Sequence, residues 1–232
     1  MSLPAKPSPS IHTVILQGDI LRAQDMIEKD EKLLKKTDDS GRLPLHWAAS
    51  TGHKEFVEFL LAKAPNMDID ATDDSNLTPL VIAAAAGRTD IVRLLLAKGA
   101  DINSQNSGGH SALQYAASKN HYDIVELLIT NGANVNITDN LNATPLHRAS
   151  SQGHTKIVRL VLDKGDRIDV NARDSAGNTP LHLACEEERV EEAKMLVHHG
   201  GDISKENKAK KTPLQYASEN LAAVLKNISE NL

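Results

Sequence analysis

The sequence lacks the cysteines of a disulfide-rich protein, the long apolar runs of a membrane protein and the positive charge of a nucleic-acid-binding protein. It has one cysteine in 232 residues, Cys185, which excludes a disulfide framework and favours a reducing compartment. An apolar run at residues 80–86 is far too short to span a bilayer. The formal net charge is -5, so a nucleic-acid partner, which needs a basic face, is not expected. The first residues lack the apolar stretch of a secretory signal, so we expect a cytoplasmic protein without a membrane partner, and entry into the nucleus stays open.

The feature that is present is a repeat. The phrase Thr-Pro-Leu-His, followed after one residue by two small residues, returns with copies that begin near residues 9, 43, 78, 111, 144, 179 and 212. The copies are 33 to 35 residues apart, and this phrase at this period is typical of ankyrin repeats. We predict an all-α ankyrin-repeat solenoid of seven helix-turn-helix repeats with short β-turn or hairpin fingers. It should form a single domain over residues 9–232, after a disordered segment at residues 1–8.

Each repeat carries local signals for two helices. Thr144 is suited to cap the first helix, Pro145 fits its first position, and Gly153 suits its left-handed end. A dense apolar stretch such as 157–162 predicts the second helix, and an Asp/Asn-rich turn leads to the next repeat. Four apolar residues of the first repeat are predicted to face inward: Ile11, Val14, Ile15 and Leu16. Three repeats lack the helix-ending glycine and have another residue there: Asn120, Glu188 and Leu221.

The ten histidines raise the question of a metal or acid–base site. His46, His147 and His182 hold the same position in their repeats, and equivalent positions in neighbouring repeats lie about 8–10 Å apart, too far to share one ion. A hydrogen bond from each ring to the next repeat is the better interpretation. The sequence has no Gly-rich phosphate loop, nucleophile elbow or zinc-type Cys/His cluster. We therefore predict no catalytic, cofactor-binding or metal-binding residue and no enzyme activity.

Two short motifs have ordinary structural interpretations. Leu183, Cys185 and Glu187 spell Leu-x-Cys-x-Glu, the pattern that binds the retinoblastoma pocket. A binder must present this pattern as an extended strand, whereas here it falls in a predicted helix, and the sequence does not decide whether that helix opens. Lys208, Lys210 and Lys211 form a small basic cluster that we interpret as a solvated turn rather than a nuclear import signal.

The repeat register predicts which residues face a partner. In an ankyrin stack the turns and the exposed side of the first helices line one concave groove. Seven charged residues are the candidate partner-binding residues: Asp39, Arg42, Asp74, Lys119, Arg148, Glu186 and Glu187. Both signs of charge occur in separate places, which suits a charged protein surface of mixed polarity and does not suit DNA.

Several segments go beyond the general repeat pattern. They are Gly52-His53 with 55–61, then 115–120, then 178–185 continuing through 187–194, and finally 206–208 with 211–215. Through these segments the chain resembles, over essentially its whole length, the gankyrin family of ankyrin-repeat subunits associated with the proteasome regulatory particle. Leu77 departs from that family, which has an aromatic turn residue there, and the N-terminal Pro/Ser segment is also unlike it.

The resemblance implies a chaperone for assembly of the proteasome base. Members of the family hold the C-terminal domain of one proteasomal ATPase subunit in the concave groove. By position, Arg42 and Lys119 would pair with partner acids, and three further residues would make contacts: Asp74, Arg148 and Glu187. Animal members are also described as binding retinoblastoma protein, a cyclin-dependent kinase and a ubiquitin ligase. An ankyrin-type regulator of a cyclin-dependent kinase or of a transcription factor remains the alternative, and we expect the chain alone to be a monomer.

Overall fold

The computed structural model describes residues 9–165 and 167–232, so the predicted disordered segment at 1–8 lies outside the described part. The described residues belong to two compact units, an N-terminal unit that ends at Asp101 and a C-terminal unit over Ile102–Leu232. Each unit is a series of short helix pairs, so the predicted all-α architecture is confirmed. The single domain over residues 9–232 stays a prediction.

The N-terminal unit contains three helix pairs. Its helices are α1 (Ile11–Leu16), α2 (Ile20–Lys29), a 3₁₀ helix (Glu31–Lys35), α3 (Pro44–Thr51), α4 (Lys54–Lys63), α5 (Pro79–Ala85) and α6 (Thr89–Ala97). The first helices of the pairs pack in order, α1 on α3 and α3 on α5, and α4 packs on α6. Alanines such as Ala48 and Ala83 are fully buried between the first helices, where a larger side chain would keep the helices apart.

The C-terminal unit contains three complete pairs and a shortened last repeat. Its helices are α7 (Ala112–Ser118), α8 (Tyr122–Thr130), α9 (Pro145–Gln152), α10 (Thr155–Lys164), α11 (Pro180–Glu186), α12 (Val190–His198), a 3₁₀ helix (Pro213–Gln215) and α13 (Glu219–Glu230). The first helices α7, α9 and α11 pack in order, and the second helices α8, α10, α12 and α13 do the same. The predicted fingers are turns, with one isolated antiparallel bridge between Gln105 and Ser111.

The described part of the chain contains no helix that is both long enough and apolar enough to cross a membrane.

Within the first repeat the predicted inward face is correct for three of its four residues. Ile11, Val14 and Ile15 are buried, whereas Leu16 is 57% exposed, so that prediction was wrong. In a helix Leu16 is rotated by about 100° from Ile15, which takes its side chain off the face that packs on α3.

The helix α9 begins and ends as its sequence predicts. Thr144 has extended backbone angles, its hydroxyl accepts the backbone N–H of His147, and Pro145 occupies the first helical position. Gly153 ends this helix with a φ of 71°. Asn120 and Glu188 take the same left-handed conformation, with φ of 61° and 51°. Leu221 does not, because α13 has already begun at Glu219 and Leu221 is a buried residue of that helix.

Candidate partner-binding surfaces

A five-residue turn tip precedes the first helix of every repeat after the first. The tips are residues 38–42, 73–77, 106–110, 139–143, 174–178 and 207–211. Each begins with Asp or Asn, whose Oδ1 atom accepts the backbone N–H groups of the residues two and four positions later. For Asp73 these donors are Ser75 and Leu77, both at 2.9 Å. The tips are therefore rigid platforms for the side chains they carry.

Neighbouring tips within a unit are joined by one backbone hydrogen bond. In the N-terminal unit the N–H of Asp74 donates to the carbonyl of Ser40 at 3.0 Å. The C-terminal unit repeats this bond three times, from Asn140 to Gly108, from Ser175 to Leu141, and from Lys208 to Ala176. The side chains of adjacent tips therefore keep a fixed spacing along each unit.

The buried histidines link each first helix to the following turn tip, which confirms the predicted structural role. His147 is fully buried, its Nδ1 atom accepts the backbone N–H of Thr144 at 3.1 Å, and its Nε2 donates to the carbonyl of Asn178 at 3.0 Å. His46 and His182 make the corresponding bonds, with Nε2 contacting the carbonyls of Leu77 and Lys211, and His46 also contacts the carbonyl of Ala71. Burial lowers the pKa of all three imidazoles, so they are neutral near pH 7.

Arg42, a predicted partner-binding cation, is held inside the N-terminal unit by an acid. Its Nε atom donates to Oδ2 of the buried Asp73 at 2.9 Å, and its guanidinium lies 5.3 Å from the ring centre of Trp47. Trp47 is itself fixed, because its Nε1–H donates to Asp38 at 2.8 Å. Burial alone would raise the pKa of Asp73, but hydrogen bonds from Leu77 and Arg42 offset this and keep that pKa below its ordinary value. Arg42 therefore presents a guanidinium whose charge is already partly balanced.

The two acids predicted to accompany Arg42 are exposed. Asp39 and Asp74 lie at the second position of their tips, beside Ser40 and Ser75. The carboxylate of Asp74 lies against Gly41, where an added Cβ would come within 2.5 Å of Oδ1. Gly41 has a φ of +73°, so both its conformation and this contact favour glycine. Arg42 and Asp74 thus occupy neighbouring tips of the same unit.

Arg148 has the same kind of anchor in the C-terminal unit. One guanidinium nitrogen donates to Oδ2 of the buried Asp139, and Nε2 of His110 lies 3.6 Å from that oxygen. Burial alone would raise the pKa of Asp139, but hydrogen bonds from Arg148 and the backbone of Ala143 hold it below the ordinary value. The Arg148 side chain is 33% exposed, and its Nε is buried without a hydrogen-bond partner in the described residues.

Lys119, Glu186 and Glu187 lie at equivalent places, the carboxyl ends of α7 and α11. Lys119 and Glu187 are the C-cap residues of those helices, Glu186 is the last residue of α11, and all three are exposed. A cation suits this end of a helix, because the helix dipole is negative there. Two acids at the same end oppose the dipole, so helix stability does not account for Glu186 and Glu187.

The sequence analysis missed the anchoring acids Asp73 and Asp139, although a spacing signal was available. The first residue of a tip bonds a residue nine positions later, in or at the end of the first helix, in four repeats. The pairs are Asp38 with Trp47, Asn106 with Tyr115, Asp139 with Arg148, and Asn207 with Tyr216. The Asp73 pair could not be found in this way, because Arg42 lies 31 residues earlier in the chain.

The Leu-x-Cys-x-Glu motif forms the second half of α11. Cys185 is fully buried, and burial together with the nearby Glu188 carboxylate raises the pKa of its thiol to about 12. Of the three residues that define the motif, Cys185 is buried, Leu183 is half-buried and Glu187 is exposed. The folded chain therefore does not present this motif as an extended strand.

Other potential sites were sought over the described residues. No group of three or more His, Cys, Asp or Glu side chains is arranged to hold a metal ion there. An open groove of about 890 Å³ runs between α8 and α10, with Tyr122, Arg159 and Leu160 among its lining residues. Lys164 in this groove is paired with Glu126 at 2.6 Å.

Parts of the sequence are similar to curated proteasome subunits. A 60-residue segment is 34% identical to the "Probable 26S proteasome regulatory subunit p28" of Saccharomyces cerevisiae, and it covers 26% of this chain and 26% of the yeast protein. A 44-residue segment is 46% identical to the human "26S proteasome non-ATPase regulatory subunit 10", covering 19% of this chain and 20% of the human protein. The matched segments thus span about a quarter and a fifth of the relatives' own lengths.

The fold and the family follow from matches over the whole chain. The crystal structure of the ankyrin repeat domain of Bcl-3, described as a unique member of the IkappaB protein family, superposes with a TM-score of 0.81. The match covers 96% of this chain and 99% of that one at 24% identity, and it shows the shared fold alone. The family profile "Ankyrin repeats (3 copies)" matches residues 11–106, 103–174 and 167–230. The chain therefore belongs to the ankyrin-repeat family.

Proposed function

We propose that this protein is a cytoplasmic, non-catalytic chaperone for assembly of the 26S proteasome regulatory particle. It binds the C-terminal domain of a proteasomal ATPase subunit through its turn tips and first helices. The similarity of two segments to proteasome regulatory subunits supports the assignment to the proteasome. The observation that carries the proposal is the pair of exposed acids at the end of α11, which oppose the helix dipole and have an exposed cation, Lys119, as their counterpart on α7.

The order of these charges indicates the partner's chemistry. Lys119 on α7 would form an ion pair with an acidic residue of the partner. Glu186 and Glu187 on α11 would pair with a basic residue of the partner. One first helix, α9, lies between them in the same unit, so the two contacts are about 16–20 Å apart. A folded domain with both signs of charge on one face can satisfy both contacts, and complementary charges of this kind set the specificity and the association rate.

The anchored arginines serve binding in a different way. Arg42 and Arg148 each give one guanidinium nitrogen to a buried aspartate, which restricts the side chain before the partner arrives. A restrained side chain loses less conformational entropy on binding than a free one, so each contact contributes more to affinity. Arginine and tryptophan are enriched among residues that dominate interface energetics, and Arg42 lies over Trp47.

The test is a charge-reversal series against the purified C-terminal domains of the proteasomal ATPase subunits. We expect Lys119→Glu to weaken binding of one such domain at least tenfold, because a like charge then meets the partner's acid, and removing one member of a buried interface ion pair costs about 2–5 kcal/mol. Glu187→Lys should do the same at the other end. The matched control is Lys156→Glu, an exposed lysine on α10, which should leave the dissociation constant unchanged.

Titration calorimetry would measure these constants, and thermal melting would verify that each variant folds. Equal binding by Lys119→Glu and the unaltered chain would refute the role of Lys119. Capture of partners from a cell lysate tests the wider assignment. A cyclin-dependent kinase or a transcription factor as the main captured protein, with no proteasomal ATPase, would replace the chaperone by the alternative regulator.

A further inference from the structure

The last turn tip, residues 207–211, is built from a residue that fits its backbone poorly. The fourth position of every tip has a positive φ, and five of the tips use glycine or asparagine there: Gly41, Asn76, Gly109, Asn142 and Gly177. The sixth has Lys210, with a φ of +59°. A lysine in the left-handed region is strained, whereas glycine is not. Local geometry therefore gives no reason for a lysine here, and its side chain is 83% exposed.

Further cations lie beside Lys210. We call Arg173, Lys208, Lys210 and Lys211 the basic tip. Arg173 and Lys208 converge on Gly177, because a Cβ added there would lie 2.9 Å from Nη2 of Arg173 and 3.3 Å from Cγ of Lys208. Nη2 of Arg173 also donates to the carbonyl of Glu206 at 2.8 Å, which fixes the guanidinium at this edge.

The charges of the basic tip are barely neutralised within the described residues. The one ion pair formed there joins Lys210 to Glu206, with 3.7 Å between Nζ and Oε2 and both side chains more than half exposed. Lys211 lies over the ring of Tyr216, with Nζ 5.2 Å from the ring centre. The backbone beneath these side chains is rigid, since Lys208 is bonded to Ala176 of the previous tip.

We propose that the basic tip is a second interaction surface and that it binds an acidic, Asp/Glu-rich segment of a protein partner. Three of the cations lie on the last tip, and Arg173 lies directly before the preceding tip and reaches Gly177 within it. Adjacent tips are about 8–10 Å apart, a distance that an extended segment of roughly three residues spans. Arg173 and Lys208 would pair with carboxylates at one end of that segment, and Lys210 and Lys211 with carboxylates at the other. This surface is separate from the contact proposed for the ATPase domain, because it includes none of the residues assigned to that contact: Arg42, Lys119, Arg148, Glu186 and Glu187.

A protein segment fits this surface better than a nucleic acid. The chain as a whole carries a formal net charge of -5. The C-terminal unit that bears the basic tip also exposes Glu186, Glu187 and Glu191. A long polyanion would be repelled by these carboxylates, whereas a short acidic segment can contact the basic tip alone.

The test measures binding of a fluorescein-labelled octaglutamate peptide by fluorescence anisotropy. We expect the intact chain to bind it at about 50 mM salt and to bind it more weakly at about 200 mM salt. The triple variant Lys208→Gln, Lys210→Gly, Lys211→Gln should bind roughly tenfold more weakly. Lys210→Gly restores the residue that this position favours, so the variant should remain folded, which its melting temperature verifies.

Two control variants make the result decisive. Lys156→Gln removes an exposed lysine of α10 and should leave peptide binding unchanged, and Lys119→Glu should also leave it unchanged even if it abolishes ATPase-domain binding. Equal affinity of the triple variant and the intact chain for octaglutamate, or no detectable binding at low salt, would overturn the proposal. Tighter binding of a single-stranded oligonucleotide than of octaglutamate would overturn the choice of a protein segment.

Discussion

At the residue scale, histidine and glutamine fill the same position and make the same bonds. In the fourth repeat Gln114 accepts the backbone N–H of Ser111 at 3.0 Å and donates to the carbonyl of Ala143 at 2.8 Å. In the fifth repeat the two ring nitrogens of His147 make the corresponding bonds, to the N–H of Thr144 and the carbonyl of Asn178. A protonated imidazole would direct an N–H at the backbone N–H of Thr144, so only the neutral ring fits, whereas glutamine never titrates.

This difference predicts a pH dependence of stability. The folded-state pKa values of His46, His147 and His182 are lowered below 6.5 by burial, so the unfolded chain binds more protons as the pH falls below that value. Their contribution is complete above about pH 6.5 and is lost as the pH falls through the folded-state pKa values. The free energy of unfolding should therefore fall from pH 7 to pH 5, by at most about 1.4 kcal/mol per pH unit for each histidine.

Replacing all three histidines by glutamine should flatten this part of the profile. Urea denaturation at a series of pH values measures it, and His198→Gln, which changes an exposed histidine, is the control. The same slope in the triple variant and the intact chain would contradict the assignment. The lowered pKa values of Asp73 and Asp139 add a separate loss of stability below about pH 4, outside this window.

Ser150 predicts a stabilising substitution. Its side chain is fully buried and its hydroxyl has no hydrogen-bond partner in the described residues. The equivalent residues of three other repeats are Ala49, Ala84 and Ala117. Ser150→Ala should raise the free energy of unfolding by about 1 kcal/mol, because it removes a buried hydroxyl that makes no bond. Urea denaturation would measure the change, with the exposed Ser107→Ala as a control within about 0.5 kcal/mol of the unaltered chain. A less stable Ser150→Ala protein would show that the hydroxyl is bonded.

At the scale of elements, the last helix depends on a strained residue of the preceding repeat. Glu188 has a φ of 51°, and its carboxylate accepts the backbone N–H and the hydroxyl of Ser218, the N-cap of α13. A glycine would relieve the strain but would remove both bonds. The strained backbone of Glu188 is therefore offset by the two bonds through which its side chain attaches α13.

Glu188→Gly should loosen α13 while the rest of the C-terminal unit stays protected. We expect backbone amides of α13 to exchange with solvent about tenfold faster, since losing the two hydrogen bonds from Ser218 to a carboxylate costs about 1.5 kcal/mol or more. Hydrogen exchange measured by NMR tests this, with Asn120→Gly as the control at a left-handed position that has no link to α13. Unchanged protection of α13 in Glu188→Gly would mean that the Ser218 bonds contribute nothing to its docking.

Elements were more predictable in the middle of the repeat array than at its end. The caps and helix-ending residues of the complete repeats follow from local chemistry, as Thr144, Pro145 and Gly153 illustrate. In the last repeat the same phrase forms only the 3₁₀ helix Pro213–Gln215, and α13 begins soon afterwards. Ser218 caps α13 and makes bonds to Glu188, so tertiary contacts shift the helix start in a way that the local phrase does not encode.

At the scale of the whole molecule, charge predicts which partners are rejected. The net charge of -5 opposes the phosphate backbone, and the basic tip offers too few cations to offset it. We expect duplex DNA to bind with a dissociation constant weaker than about 100 µM at about 0.15 M salt. Fluorescence anisotropy with a labelled duplex measures this, and a markedly tighter, salt-dependent complex would require a basic face that the charge distribution does not suggest.

The sequence by itself determined the repeat, its seven copies, the capping of the first helices and the structural role of the histidines. These features depend on bonds within a repeat or between identical positions of adjacent repeats, so a local pattern with a fixed period is enough to predict them. Only the tertiary structure decided which charged residues are already partnered. Arg42 is balanced by Asp73, 31 residues away, and Arg148 by Asp139, whereas Lys119, Glu186 and Glu187 remain exposed at helix ends. The physical reason is that an ion pair needs two side chains within about 4 Å, and packing of turn tips against helices sets that distance.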